Sequence, residues 1–325
     1  MALAYTQLGR SGARVSRLAL GTLNFGPETS AEESWRIMDA SREAGINFFD
    51  TADYYGWQAG YGATERIIGG WLAQGGGRRE SIFLASKVYM RTGEGVNDGG
   101  LSAYHIVRAC EASLRRLRTD YLDLYQMHHI DRHTPWEEIW QAFDMLRRQG
   151  KIIYAGSSNF AGWHIAQAQE EARARGLLGI ISEQSLYNLC YRTIELEVMP
   201  ACRAYGVGLV AWGVLNRGFL ASADRGKLRG PKASERLEKE YAHFGARLEG
   251  YRAVCARAGH APADVATAWV LQQPGVAAVI IGPRSLAQLE DSVRAADVRL
   301  DEETMRGLEE IWPGPGGPAP GAYAW

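Results

Sequence analysis

The chain has 325 residues, 46% hydrophobic and 22% charged, which is enough apolar material for a large core and unlike the composition of a disordered chain. With 36 basic and 37 acidic residues the formal net charge is −1, so no overall field draws nucleic acid or an anionic membrane, and any anionic ligand must be met locally. No run has the length of a membrane span, the start "MALAYTQLGRSGARVSRLALG" lacks a signal-peptide pattern, and Cys110, Cys190, Cys202 and Cys255 have neither ligand nor disulfide spacing. The expectation is a cytoplasmic protein that engages neither nucleic acid nor membrane and uses its cysteines as small core residues.

A hairpin pattern around "YTQLGRSGARVSRL" occupies residues 1–16, and the first apolar, β-rich run, "SRLALGT" (16–22), follows it. The segment "SAEESWRIMDASREAG" reads as a helix in which Ser30 caps, Glu33 completes a capping box and Gly45 terminates. Further strands are predicted at "INFFDTA" (46–52), "SIFLASKV" (81–88), "DYLDLYQMH" (120–128), "KIIYAGSS" (151–158), "GIISEQS" (179–185), "GLVAWGV" (208–214) and "AAVIIGP" (277–283), with helical stretches between them. About eight alternating units, without a GxGxxG turn after the first strand, describe one (β/α)8 TIM barrel over residues 1–325 better than an open doubly wound sheet. A loop from Asn216 to about Glu240 carries Arg217, Arg225, Lys227, Arg229 and Lys232; because Glu235, Glu238 and Glu240 follow, it reads as a solvated loop or cofactor clamp rather than a nucleic-acid surface. The Gly/Pro-rich tail 313–325, "PGPGGPAPGAYAW", reads as neither a regular helix nor a central strand, with Tyr323 and Trp325 either disordered or folded back onto a pocket.

Polar residues collect at the strand ends, where barrels of this kind build their chemistry. Asp50 closes the second barrel strand, Lys87 the third, His128 the fourth, Ser158 and Asn159 the fifth and Gln184 the sixth, while Arg284 follows the eighth. An ammonium at the end of an apolar strand needs a carboxylate, and Asp50 on the neighbouring strand provides one; on that ground alone the pair reads equally as structural or catalytic. Tyr55, just above in "FFDTADYYG", brings a phenol toward Lys87, whose charge is expected to lower its pKa and make it a proton donor. His128 adds a group able to orient a carbonyl. Asp53 and Tyr54 are read as loop structure or pocket lining.

Together "GINFFDTADYYG", "LASKV", "DLYQMH" and "GSSNF" resemble the aldo-keto reductase superfamily over nearly the whole chain. The resemblance implies NADPH-dependent carbonyl reduction, with Tyr55 as proton donor, Lys87 as its tuner, Asp50 as the partner of Lys87 and His128 as the orienting group. It places Ser158, Asn159 and Gln184 at the nicotinamide amide, and Trp212 as the stacking ring in place of the more usual tyrosine. Gly213, Leu215, Arg217 and Gly218 belong to the implied cofactor set. "GPRSLAQLEDS" implies Gly282, Arg284, Gln288, Asp291 and Ser292 at the nucleotide end, with Arg284 on the 2′-phosphate. Ser292 stands where many members have asparagine, so the NADPH preference rests on Arg284 and NADH use stays open. "NDGGLSA", "HHIDR" and "SSNFAGWHIAQAQE" resemble, more narrowly, actinobacterial reductases that tailor deoxysugars or antibiotic intermediates.

"HHIDRH" offers His128, His129, Asp131 and His133 as metal ligands, but adjacent strand histidines are expected to face opposite ways and no other strand end supplies His or Cys, so no metal is expected. Periodicity alone does not choose between His128 and His129. An NADPH-holding sensor with little turnover is the second functional class. Trp57, Tyr61, Tyr89 and His129 are set to line a substrate pocket or merely to fill space. The expected partner is a small carbonyl compound, with self-association left open.

Overall fold

A computed structural model describes residues 3–221 and 231–324. A two-stranded antiparallel hairpin, β1 (Tyr5–Gln7) and β2 (Arg14–Ser16), precedes a closed eight-stranded parallel barrel. The barrel strands are β3 (Leu18–Gly21), β4 (Phe48–Asp50), β5 (Phe83–Val88), β6 (Leu122–Met127), β7 (Ile152–Ser158), β8 (Ile180–Leu186), β9 (Gly208–Trp212) and β10 (Val276–Ile281), with β10 closing onto β3. The (β/α)8 reading and the N-terminal hairpin are both found, each strand within a few residues of its predicted run.

Strand parity separates two apolar layers. Ala19, Phe48, Phe83, Ala85, Leu124, Ile181, Val210 and Ala278 fill the barrel, and Leu8 and Val15 of the hairpin are fully buried among them, plugging the amino-terminal end. Alternate residues such as Leu20, Phe49, Leu84, Tyr125 and Val279 face outward against the helices. These are α1 (Ala31–Glu43), α2 (Ala63–Leu72), α3 (Ala103–Leu117), α4 (Trp136–Arg148), α5 (Gly162–Ala174) and α6 (Val198–Tyr205), then α7 (Pro231–Phe244), α8 (Leu248–Ala258), α9 (Pro262–Leu271), α10 (Leu286–Ala295), α11 (Glu302–Ile311) and α12 (Gly321–Ala324). Because each strand is covered on both faces, the runs read as almost continuously apolar until polar residues break them at the carboxyl ends.

Some local expectations are revised. Ser30 caps α1 by accepting from the Glu33 N–H at 3.3 Å, but the Glu33 carboxylate turns to Arg36 at 2.9 Å, so the box is only half made. The second half of the predicted loop 216–240 is α7; Arg225, Lys227, Arg229 and the side chain of Lys232 lie outside the described residues. The tail ends in the short α12, and Tyr323 stays 69% exposed; Trp325 lies outside the described residues. Trp312, just before the tail, is instead fully buried against Phe244 and Tyr251. Cys110, Cys202 and Cys255 are buried and Cys190 is half-buried, all of them free thiols. Among the described residues no helix is long and apolar enough to cross a membrane.

Candidate active site

Asp50 is the last residue of β4 and Lys87 the penultimate residue of β5, both pointing into the barrel by the same parity that buries Phe48 and Ala85. Lys87 is wholly buried, and its ammonium donates to Asp50 Oδ2 at 2.6 Å, to the Thr51 carbonyl at 2.9 Å and to Tyr55 Oη at 3.1 Å. That uses all three N–H groups of the ammonium. Asp50 Oδ1 in turn accepts from Gln126 Nε2 at 3.0 Å and Gln184 Nε2 at 2.8 Å, so the buried carboxylate has a counterion on one oxygen and two amide donors on the other. Burial by itself would lower the Lys87 pKa; Asp50 and Tyr55 outweigh it and the net direction is up.

Tyr55 reaches Lys87 because the chain turns sharply after β4. Its N–H donates to the Ala52 carbonyl, and Gly56 follows at φ +85°, where a Cβ would lie 2.7 Å from Ala63 Cβ and 3.0 Å from Thr64 N. Only glycine fits there, which explains its place behind the two tyrosines. The Tyr55 pKa shifts opposite to the expected direction: burial drives it up and Asp50 adds to that, while Lys87 pulls it down without prevailing. The phenol therefore keeps its proton at neutral pH. Because Lys87 donates to Tyr55 Oη, the phenol's own hydrogen is left to point elsewhere.

β6 ends at Met127, one residue short of the predicted end, so His128 and His129 do not alternate across the sheet. Their rings stack at 5.5 Å and 11°, correcting the expectation of opposite faces. His128 meets Tyr55 edge-on at 5.9 Å, whereas His129 meets Tyr89 at 5.5 Å. Periodicity left the two histidines open; geometry puts His128 beside the phenol. Burial, then Lys87, holds the His128 pKa well below the ordinary histidine range, so its ring is neutral, and its Nδ1 is buried without a partner. Asp131 is used locally, accepting from Leu101 N, His133 N and Thr134 Oγ1, and no three His, Cys, Asp or Glu among the described residues are grouped to hold a metal.

Ser158 ends β7 and donates to the Gln184 carbonyl at 2.8 Å; Asn159, at φ +58°, donates to the His128 carbonyl at 3.2 Å and to Ser158 Oγ at 3.0 Å. Gln184 gives its Nε2 to Asp50, and Asn159 its Nδ2 to the His128 carbonyl and Ser158 Oγ; their amide oxygens, Asn159 Oδ1 and Gln184 Oε1, are acceptors by nature and of the kind a carboxamide needs. Trp212 ends β9, and Gly213 follows at φ +71° with Leu186 Cδ1 2.7 Å from where its Cβ would stand. Leu215, Arg217 and Gly218 form a short turn in which Arg217 is exposed. At the far end Gly282 accepts from Asn24 Nδ2 at 2.9 Å, the Arg284 N–H donates to Gln288 Oε1 at 2.9 Å, and Arg284 Nε is buried without a partner. Asp291 pairs with Arg294 and Ser292 Oγ donates to the Gln288 carbonyl, both along α10 itself. Trp57 and Tyr61, 41% and 39% exposed, flank Tyr54 at 5.1 Å and 5.6 Å on the loop that carries Tyr55. This donor set fits a dinucleotide: amide acceptors and a ring at one end, an incompletely satisfied guanidinium at the other.

The sequence reading missed Gln126, although stepping back two residues from His128 along β6 would have found it. It also missed Glu183, which faces outward from β8 and is fully buried. Its carboxylate accepts from Ser157 Oγ at 2.5 Å, Ser185 Oγ at 2.8 Å and Phe160 N at 3.1 Å, bracing the corner that holds Ser158 and Asn159. Burial pushes its pKa from 4.5 up to about 7, with hydrogen bonds from Ser157, Ser185 and the Phe160 and Asn159 backbone opposing. A raised acid holds its proton more tightly folded than unfolded, so its contribution to stability is present below pH 4.5 and is lost as pH rises to about 7. Glu183→Gln is expected to remove that slope, a difference of about 3 kcal/mol across the window; denaturant titrations at several pH values check it, and equal slopes in both proteins would contradict it. Asp53 is also buried, and burial, then Glu65, hold its pKa well above the usual range against the opposing pull of Arg116.

A groove of about 1120 Å³ lies instead at the amino-terminal end, between the hairpin and the starts of β9 and β10, and none of these site residues lines it. Its Arg17 and Arg299 donate to backbone carbonyls at Leu271, Val276, Ala296 and Val298, so they brace the barrel base.

Comparison with known proteins gives a consistent result. The sequence profile described as "Aldo/keto reductase family" matches residues 17–313. The chain is 50% identical to an uncharacterized oxidoreductase, YrpG, of Bacillus subtilis, over 99% of each chain. It is 34% identical to a protein of Oryza sativa named a probable voltage-gated potassium channel subunit beta, over 94% of this chain and 96% of the other. It is also 34% identical to the norsolorinic acid reductase StcV of Emericella nidulans, over 93% of this chain and 80% of the other.

Proposed function

From the premise that this chain belongs to the Aldo/keto reductase family and is an oxidoreductase of it, we propose that it reduces an aldehyde or ketone to an alcohol with NADPH at the carboxyl end of the barrel. The observation that carries the reading is the Asp50–Lys87–Tyr55 chain of hydrogen bonds, which leaves one acidic hydrogen, that of Tyr55, free beside a neutral His128.

The residues divide the work. Asn159 and Gln184 would offer acceptors to the nicotinamide carboxamide, Ser158 would steady that corner, Trp212 would supply a ring to stack against, and Gly213, Leu215, Arg217 and Gly218 would follow the cofactor. Gly282, Arg284, Gln288, Asp291 and Ser292 would hold the adenosine end, with Arg284 for the 2′-phosphate. When bound, the reduced nicotinamide would supply the hydride that the carbonyl carbon takes up. Tyr55 donates its proton to the carbonyl oxygen, and the phenolate left behind stands 3.1 Å from the Lys87 ammonium, whose charge is itself maintained by Asp50. The neutral His128 N–H orients the same oxygen. Raised pKa and nearby cation have complementary effects: the first keeps the proton on Tyr55 until reaction, the second stabilises its loss.

For the substrate we propose a keto group on a natural-product or nucleotide-sugar intermediate. A relative named as the reductase of one particular compound supports a dedicated substrate, and the rings of Trp57, Tyr61, Tyr89 and His129 at the mouth support a flat or cyclic one. The sensor reading draws on the relative named as a channel subunit; the complete Asp50–Lys87–Tyr55 chain favours turnover. Cofactor oxidation with NADPH and NADH across simple aldehydes, keto-polyketides and nucleotide-linked keto-sugars separates them: turnover supports the reductase, and tight NADPH binding without turnover on any carbonyl supports the sensor.

A further inference from the structure

Arg284 is engaged by an anion from within the protein. Glu28 Oε2 stands 2.9 Å from Arg284 Nη1, closing an ion pair between the turn after β3 and the turn before α10. Each partner is held in place by contacts that do not involve the other. On the Glu28 side, the Asn24 carbonyl accepts from Glu28 N at 3.0 Å and Thr29 N at 3.1 Å, Gly26 N–H donates to the Thr29 carbonyl at 2.8 Å, and Thr64 Oγ1 ties down the Phe25 carbonyl at 2.9 Å. Asn24 Nδ2 then staples this turn to the Gly282 carbonyl. On the other side, Gln288 Oε1 holds the Arg284 N–H and Ser285 caps α10. The two turns are thus held facing each other by backbone and amide contacts besides the ion pair. Both side chains remain open to solvent, 30% and 40% exposed, so a ligand can reach them.

We propose that Glu28 is a specificity-determining residue: its carboxylate competes with the cofactor's 2′-phosphate for Arg284 and so limits the preference for NADPH over NADH. The proposal rests on Arg284 being the phosphate-binding cation. To seat the phosphate, the guanidinium must give up Glu28, and the displaced carboxylate then stands near a second anion. Both effects oppose the phosphorylated cofactor. NADH brings no phosphate, the pair stays closed, and its affinity is untouched. An exposed ion pair limits the size of the effect to about fivefold in affinity.

The test is a set of fluorescence titrations of NADPH and NADH with the wild type, Glu28→Gln, Arg284→Ala and the double variant. Glu28→Gln is expected to tighten NADPH by about three- to fivefold and leave NADH unchanged. Arg284→Ala is expected to weaken NADPH by about tenfold or more, and in that background Glu28→Gln, which then relieves only the repulsion between carboxylate and phosphate, should tighten NADPH less than it does in the wild type. If Arg284→Ala weakens NADPH but Glu28→Gln leaves it unchanged or weakens it, Glu28 is neutral or orients the arginine, and the proposal is overturned while the phosphate reading stands. If Arg284→Ala leaves NADPH affinity intact, the phosphate reading fails and the competition with it.

Discussion

Tyr55→Phe is expected to lower kcat for carbonyl reduction by about a thousandfold, within the range general-acid catalysis commonly supplies, and to leave NADPH affinity unchanged. The variant keeps the ring, its edge contact with His128 and the turn at Gly56, so the loop has no reason to refold. Lys87 loses one acceptor and retains Asp50 and the Thr51 carbonyl. What disappears is the one acidic hydrogen that the Lys87 network leaves unspent. Steady-state rates on the best carbonyl found, with a parallel cofactor titration, decide the matter; wild-type turnover in the variant would remove Tyr55 from the role of proton donor.

Lys87→Met should affect both activity and stability. The Asp50 carboxylate, 2% exposed, keeps its two amide donors but loses its only counterion among the described residues, and an abandoned buried charge of this kind costs about 3–5 kcal/mol. With the ammonium gone, burial and Asp50, which already raise the Tyr55 pKa, act unopposed on the phenol, so the rate should fall about as far as in Tyr55→Phe. The double variant Lys87→Met/Asp50→Asn separates the two losses: removing the stranded charge should recover most of the stability and none of the rate. A Lys87→Met protein of normal stability and turnover would mean that the buried pair tunes nothing.

The barrel was legible because its strands are covered on both faces and therefore break from apolar to polar at one end only, which exposed Asp50, Lys87, His128 and Ser158 as a ring. Hairpin and strand order followed from the same runs. Two things were hidden. The direction of the Tyr55 shift depends on how completely the phenol is desolvated, and no motif records burial; the Lys87 charge was visible and the opposing desolvation was not. The relation of His128 to His129 depended on where β6 stops, since alternation holds only inside a strand, and the strand stops one residue before it would have separated them. Gln126 was within reach of a period-two count. Glu28 was not, because its meaning comes from a partner 256 positions away.

The most direct measurement uses NADPH carrying deuterium at the hydride-donating position of its nicotinamide, incubated with the protein and a reducible carbonyl, followed by mass analysis of the alcohol. Catalysis at the Tyr55–Lys87–His128 site predicts deuterium on the carbinol carbon at the wild-type rate, and label transfer slowed about a thousandfold in Tyr55→Phe. NADPH that binds but transfers no label to any carbonyl, or transfers it equally well in both proteins, would contradict the account.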